Sequence, residues 1–233
     1  MDEAGMSEHV FSSVDALDNA LATEAISVLT SAISARGKAT LVVSGGSTPR
    51  GLFAHLANAD IEWSRVTITL ADDRWVNHDH DDSNEKLLTQ TLLTGLASAA
   101  QYRSLTPCYP NVDANLKDVI ATLDDFDTYD LVILGMGGDK HTASLFPCCE
   151  EIDEGLATNA SALMTHPTTA PHARISQSLK RLKNSRKGII HIVGEDKRLV
   201  FEEALSTQPA KKAPIAQFAA PNGNFELWYA PKH

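Results

Sequence analysis

A histidine set among glycines offers the most usable chemistry in this chain. His141 stands in Gly135-Met136-Gly137-Gly138-Asp139-Lys140-His141-Thr142-Ala143-Ser144-Leu145-Phe146-Pro147. Imidazole titrates near neutral pH and can accept a proton from water. A nearby carboxylate such as Asp139 can fix its tautomer and stabilise its charged form. Spacing alone does not say whether Asp139 touches the ring, and a loop histidine that caps a helix or pairs at the surface is the plain alternative. The glycines do not form a dinucleotide fingerprint, because Gly-x-Gly-x-x-Gly needs glycine where Lys140 stands.

Two more loops carry reactive residue types. Ser44-Gly45-Gly46-Ser47-Thr48-Pro49-Arg50 combines glycines that let an anion approach the backbone with the hydroxyls of Ser47 and Thr48. It suits a phosphate, although a tight turn with a helix cap would look the same. It is not a Walker A loop, since Gly-Lys-Ser/Thr is missing. In Asp72-Asp73-Arg74-Trp75-Val76, a carboxylate could bind a sugar hydroxyl, and Arg74 could hold a phosphate or polarise a carbonyl. A surface ion-pair cluster is the alternative there. The run His78-Asp79-His80-Asp81-Asp82 invites a metal, but loop neighbours rarely converge on one ion without partners elsewhere. A solvated acidic loop is expected and no metal. Arg174 and Lys197 are further cations that a phosphorylated substrate could use.

Apolar periodicity supplies the elements that must position these residues. Val14, Leu17, Leu21, Ile26, Leu29 and Ile33 predict an amphipathic helix over 13–35, with Gly37 as its stop. Short apolar runs predict strands at Ala39–Val43, Val66–Leu70, Tyr129–Leu134 and Gly188–Val193. Helices are expected from Pro49, from Ser83 to about Leu96, over 112–125, at Gln177–Leu182 and at Glu195–Leu205. Residues 71–82 read as a charged loop, 148–170 as loop-rich, and Ile215–Phe218 and Glu226–Tyr229 as strands. Strands alternating with helices imply a largely parallel sheet covered on both faces, in one domain over 1–233 with about the first eight residues flexible. Ligands of such sheets bind at the carboxyl ends of strands, where the three loops lie.

Composition sets the outer bounds. The 233 residues are 43% hydrophobic, enough for a sizeable core. The longest apolar runs are strand-sized, far short of the roughly 20 residues of a membrane span. The start, Met1-Asp2-Glu3-Ala4-Gly5, is acidic and lacks the basic and apolar segments of a signal peptide, so a cytoplasmic protein is expected. Cys108, Cys148 and Cys149 fit neither zinc spacing nor a disulfide framework and are expected to be reduced thiols. The net charge of −10 argues against nucleic acid, while still allowing a local cationic pocket for a small anion. No membrane partner is expected, and a monomer or small homo-oligomer is.

Taken together, Ser44–Pro49, Asp72–Val76 with Ser83-Asn84, Gly135–Pro147, Arg174-Ile175-Ser176 and Gly194-x-x-Lys197 resemble the 6-phosphogluconolactonase family, related to glucosamine-6-phosphate isomerases and deaminases. The motifs occur in the family's order, and the Gly135–Pro147 segment is the specific one. The resemblance implies a Rossmann-like three-layer α/β/α domain, no metal or organic cofactor, and hydrolysis of 6-phosphoglucono-δ-lactone to 6-phosphogluconate in the oxidative pentose phosphate pathway. Carried over, His141 would be the general base and Asp139 its electrostatic support. Gly45, Gly46, Ser47, Thr48 and Asp72 would line the substrate site, and Arg74, Arg174 and Lys197 would supply positive charge for phosphate and oxyanion.

Three departures stand out. Lys140 replaces the usual glycine of Asp-Gly-His, Asp73 replaces the usual glutamate of Asp-Glu-Arg, and the end Trp228–His233 lacks an expected acid. If position 140 has positive φ, lysine is strained there. Pointing into the cleft, it would lower the pKa of His141; pointing outward, it would change little. An isomerase or deaminase is the nearest rival, but that branch carries Phe-Asn-Glu-Pro where this chain has Ala143–Pro147. A non-catalytic sugar-phosphate binder is the other alternative.

Overall fold

The structure, a computed structural model, describes residues 5–232. In chain order its strands and α-helices are β1 (Glu8–Val10), α1 (Val14–Arg36), β2 (Ala39–Val43), α2 (Arg50–Ala57), β3 (Val66–Leu70), β4 (Asp72–Arg74), α3 (Asn84–Thr91), β5 (Gln101–Arg103) and α4 (Val112–Asp124). There follow β6 (Tyr129–Leu134), α5 (Ile152–Ala157), β7 (Ala162–Thr165), β8 (Arg174–Gln177), α6 (Leu179–Lys183), β9 (Ser185–Val193), α7 (Glu195–Ser206) and β10 (Phe225–Ala230).

Among the described residues, seven strands form one sheet in the order β1-β10-β9-β6-β2-β3-β5, every neighbouring pair parallel. The two faces follow from strand alternation. On β6, Leu131 and Ile133 join Leu17, Leu21 and Leu29 of α1, while Val132 and Leu134 join Phe201 of α7 and Phe218 on the other side. The result is a Rossmann-like, three-layer α/β/α arrangement.

Helix α1 shows how local chemistry sets these elements. Ser13 caps it by accepting the Ala16 N–H at 3.2 Å, and Gly37 ends it in the left-handed conformation, φ 77°. Strands β2 and β6 lie side by side although the chain runs outward through β3 and β5 between them. They mark the point where strand order reverses, and the Ser44 and Gly135 loops leave their carboxyl ends there.

The structure corrects several expectations. Residues 72–74 are a strand, not a loop, and with β7 and β8 form a second, antiparallel sheet ordered β4-β8-β7. The segment 148–170 contains α5 and β7. Gln177 ends β8, so the helix expected from 177 starts at Leu179. Helix α3 stops at Thr91. Ile215–Phe218 lies in a 3₁₀ turn, Pro214–Phe218, whose leading proline suits a helical start. Of the first eight residues, 1–4 lie outside the described residues, whereas Leu227 donates its N–H to the Ser7 carbonyl and Glu8 opens β1.

Candidate active site

A cleft of about 310 Å³ opens over the strand-order reversal. It falls at the small end of the usual range for small-molecule sites. Its walls include Ser44–Thr48, Asp72, Arg74, His141, Arg174 and Lys197. The three loops and the two distant cations therefore meet at one place. Asp139 touches His141 from behind.

The Gly135 loop is folded around its histidine. Gly137 donates its N–H to the His141 carbonyl at 2.9 Å, and Lys140 donates to the Gly137 carbonyl at 3.0 Å. A Cβ on Gly137 would collide with the His141 ring and with Asp139. His141 Nδ1 lies 2.5 Å from Asp139 Oδ1, and the His141 N–H also points at that oxygen, 3.2 Å away. Partial burial pushes the Asp139 carboxyl up, but the hydrogen bond and charge of His141 outweigh it and hold it below the ordinary value. With Nδ1–H facing Asp139, Nε2 is the nitrogen left to accept a proton. The ring stacks on Phe146 at a centroid distance of 4.0 Å.

Lys140 takes both the strained backbone and the outward side chain. Its φ is 72°. Its ammonium leaves the cleft for Glu203 Oε1 of α7 at 2.9 Å and for Thr207 Oγ1, just past that helix, at 3.3 Å. It therefore places no second cation against His141.

Asp72 and Asp73 point to different tasks. Asp73 is buried and accepts N–H groups from Arg74 and Asn84, each at 2.7 Å, and from Glu85 at 3.0 Å. It caps α3, and burial, opposed by those donors, pushes its carboxyl up to about 7. Asp72 faces the cleft and accepts the buried Ser144 hydroxyl at 2.5 Å.

The arginines meet across the small sheet, where Arg74 is directly opposite Arg174 in the β4–β8 register. Arg74 donates from Nη1 to the Asp82 carbonyl at 2.7 Å, while its buried Nε has no partner among the described residues. Arg174, 5% exposed, donates from Nε and Nη2 to the Pro171 carbonyl and lies over the Phe146 ring at 5.4 Å. Burial, then the charge of Arg74, lowers its pKa. Lys197 sits across the Gly135 loop, donating to the Met136 carbonyl at 3.2 Å.

Asn84, Ser144 and His191 complete the site without having been singled out as site residues from sequence. A Cβ on Gly45 would collide with the Asn84 side chain, which donates to the Asp72 carbonyl at 3.1 Å. His191 lines the cleft from β9, and burial lowers it to about 4. The Ser83-Asn84 cap was a visible local signal. The positions of Ser144 and His191 under the cleft depend on tertiary packing alone.

A parallel sheet whose reversal point carries a glycine-hydroxyl loop, a histidine–carboxylate pair and clustered cations defines an α/β protein built to act on a small anionic molecule. The family model described as "Glucosamine-6-phosphate isomerases/6-phosphogluconolactonase" matches residues 12–228, and the chain belongs to that family. It is 37% identical to a 6-phosphogluconolactonase of Mesorhizobium japonicum over 91% of this chain and 90% of the relative. It is 34% identical to one of Pseudomonas putida over 92% and 90%. The crystal structure of a 6-phosphogluconolactonase from Shewanella baltica superimposes with a TM-score of 0.93 at 41% identity, covering 97% of each chain. A monomeric glucosamine-6-phosphate deaminase shares the fold, with a TM-score of 0.80 at 12% identity.

Proposed function

We propose that this protein hydrolyses 6-phosphoglucono-δ-lactone to 6-phosphogluconate in the oxidative pentose phosphate pathway, with His141 as general base. The observation that carries this reading is the Asp139–His141 pair, its free Nε2 available in a cleft that also holds Arg74, Arg174 and Lys197. A lactone is an activated ester, so water needs only a base and a stabilised oxyanion. In the mechanism, Nε2 takes a proton from water as its oxygen attacks the lactone carbonyl. Asp139 stabilises the imidazolium. Negative charge grows on the carbonyl oxygen and is met by the cationic wall. The carbonyl–ring-oxygen bond then breaks, and Nε2 returns its proton to the departing ring oxygen. Gly45, Gly46, Ser47, Thr48 and Asp72 line the substrate, their backbone, hydroxyl and carboxylate groups suited to its phosphate and hydroxyls.

The deaminase alternative finds little in this cleft. Leu145, in the segment where that branch carries its Asn-Glu pair, is buried against Ile152 and Leu163. Hydrolysis of enzymatically generated 6-phosphogluconolactone, followed against its spontaneous rate, tests the reading. Acceleration by the purified protein is expected. Absence of acceleration by protein with a cooperative melt would end it. Among the described residues, no helix is long and apolar enough to cross a membrane.

A further inference from the structure

The loop after β4 and the segment before β8 meet beside the two arginines. Residues 78–82 do not surround an ion by themselves, and the partner from elsewhere is His172, 90 positions beyond Asp82. His172 Nε2 lies 2.7 Å from Asp82 Oδ2. The rings of His80 and His172 pack edge to face with centroids 5.4 Å apart. One nitrogen or oxygen from each of His80, Asp82 and His172 falls within 4.8 Å of the other two. His172 holds a left-handed backbone, φ 69°, a conformation uncommon for a residue with a side chain, and from it the imidazole reaches Asp82.

We propose that His80, Asp82 and His172 form a binding site for a divalent cation of the zinc type, outside the catalytic cleft and not needed for the chemistry proposed above. Two imidazoles and one carboxylate are the donor set of zinc and cobalt, whereas calcium and magnesium take oxygen donors. Metal–ligand bonds of about 2.0–2.2 Å require the donor atoms to draw together. The Asp82–His172 pair is already close. His80 is exposed, and its Nδ1 accepts the Asp82 N–H at 3.0 Å, a contact that a metal bond replaces. Water completes the coordination.

The position gives the site a consequence. Arg74 donates to the carbonyl of Asp82 itself, and Arg174 donates to the carbonyl of Pro171, the neighbour of His172. A cation joining the two segments fixes both carbonyls and so braces both guanidinium groups.

Cobalt titration of the untagged, chelator-treated full chain tests the site, because Co²⁺ bound by imidazole and carboxylate gives visible absorption bands. The expected result is one equivalent bound per chain, displaced by Zn²⁺ but not by excess Mg²⁺. His80→Ala and His172→Asn should each weaken binding at least about tenfold. Asparagine tolerates the left-handed backbone and protects the fold at 172. His78→Ala should bind as the parent does. Absence of stoichiometric binding, or binding indifferent to both His80→Ala and His172→Asn, overturns the proposal. Binding is read without substrate, so the outcome is independent of the lactonase assay.

Discussion

Arg74 and Arg174 face each other directly across the β4–β8 pair, and the more buried of the two, Arg174, is held by one carbonyl and an aromatic ring with no carboxylate hydrogen-bonded to it among the described residues. Like charges opposed on a ladder destabilise it. The arrangement makes sense when a bound anion offsets the repulsion.

Replacing Arg74 by methionine should therefore separate binding from stability. Loss of a charge-assisted hydrogen bond costs about 1.5–3 kcal/mol, so KM should rise roughly 10- to 150-fold. The melting temperature without substrate should hold or rise. Steady-state kinetics and calorimetry check both. An unchanged KM with a lower melting temperature would make the pair structural.

His141→Ala should lower kcat by at least about 100-fold, the scale of one general base. Gly137→Ala should approach that loss with the fold intact, because its new Cβ displaces the His141 ring. Near-normal turnover in His141→Ala would assign the base to another group.

Lys140→Gly should leave kcat within about threefold. The ammonium lies against α7, away from the cleft, and its ion pair is screened by solvent at the exposed Glu203 end. A large fall in kcat, with the melt unchanged, would show that this clamp positions the histidine.

His191 should make the fold sensitive to acid. Burial lowers its pKa from 6.5 to about 4. The unfolded chain takes up the proton first as pH falls, so stability is full above about 6.5 and is lost toward pH 4, by about 3 kcal/mol. Buried Asp18, 3.7 Å from His191 Nε2, has a raised pKa and acts in the opposite sense. Comparing denaturant melts of Asp18→Asn and of Asp18→Asn/His191→Leu from pH 7 to 4 isolates the histidine. Equal pH slopes would mean that His191 is protonated in the fold.

The sheet was legible where apolar and β-branched residues cluster in short runs. Ala39–Val43, Val66–Leu70 and Tyr129–Leu134 became β2, β3 and β6 with their expected bounds. The small sheet was not legible, because Asp72-Asp73-Arg74 is short and charged and pairs with a strand about 100 residues later. Ile215–Phe218 misled by apolar content, since the proline before it starts a 3₁₀ turn. In the site, the glycine loops and His141 declared themselves through local chemistry. The separation of Asp72 from Asp73 did not, because it depends on Ser144 and on the start of α3 reaching the same strand from elsewhere.

The most direct measurement sets the parent protein beside His141→Ala on 6-phosphoglucono-δ-lactone and on the unphosphorylated lactone, each corrected for spontaneous hydrolysis. The account predicts rapid turnover of the phosphorylated lactone by the parent, much weaker turnover of the other, and loss of at least about 100-fold in the variant. Equal rates on the two lactones, or a variant as fast as the parent, would contradict it.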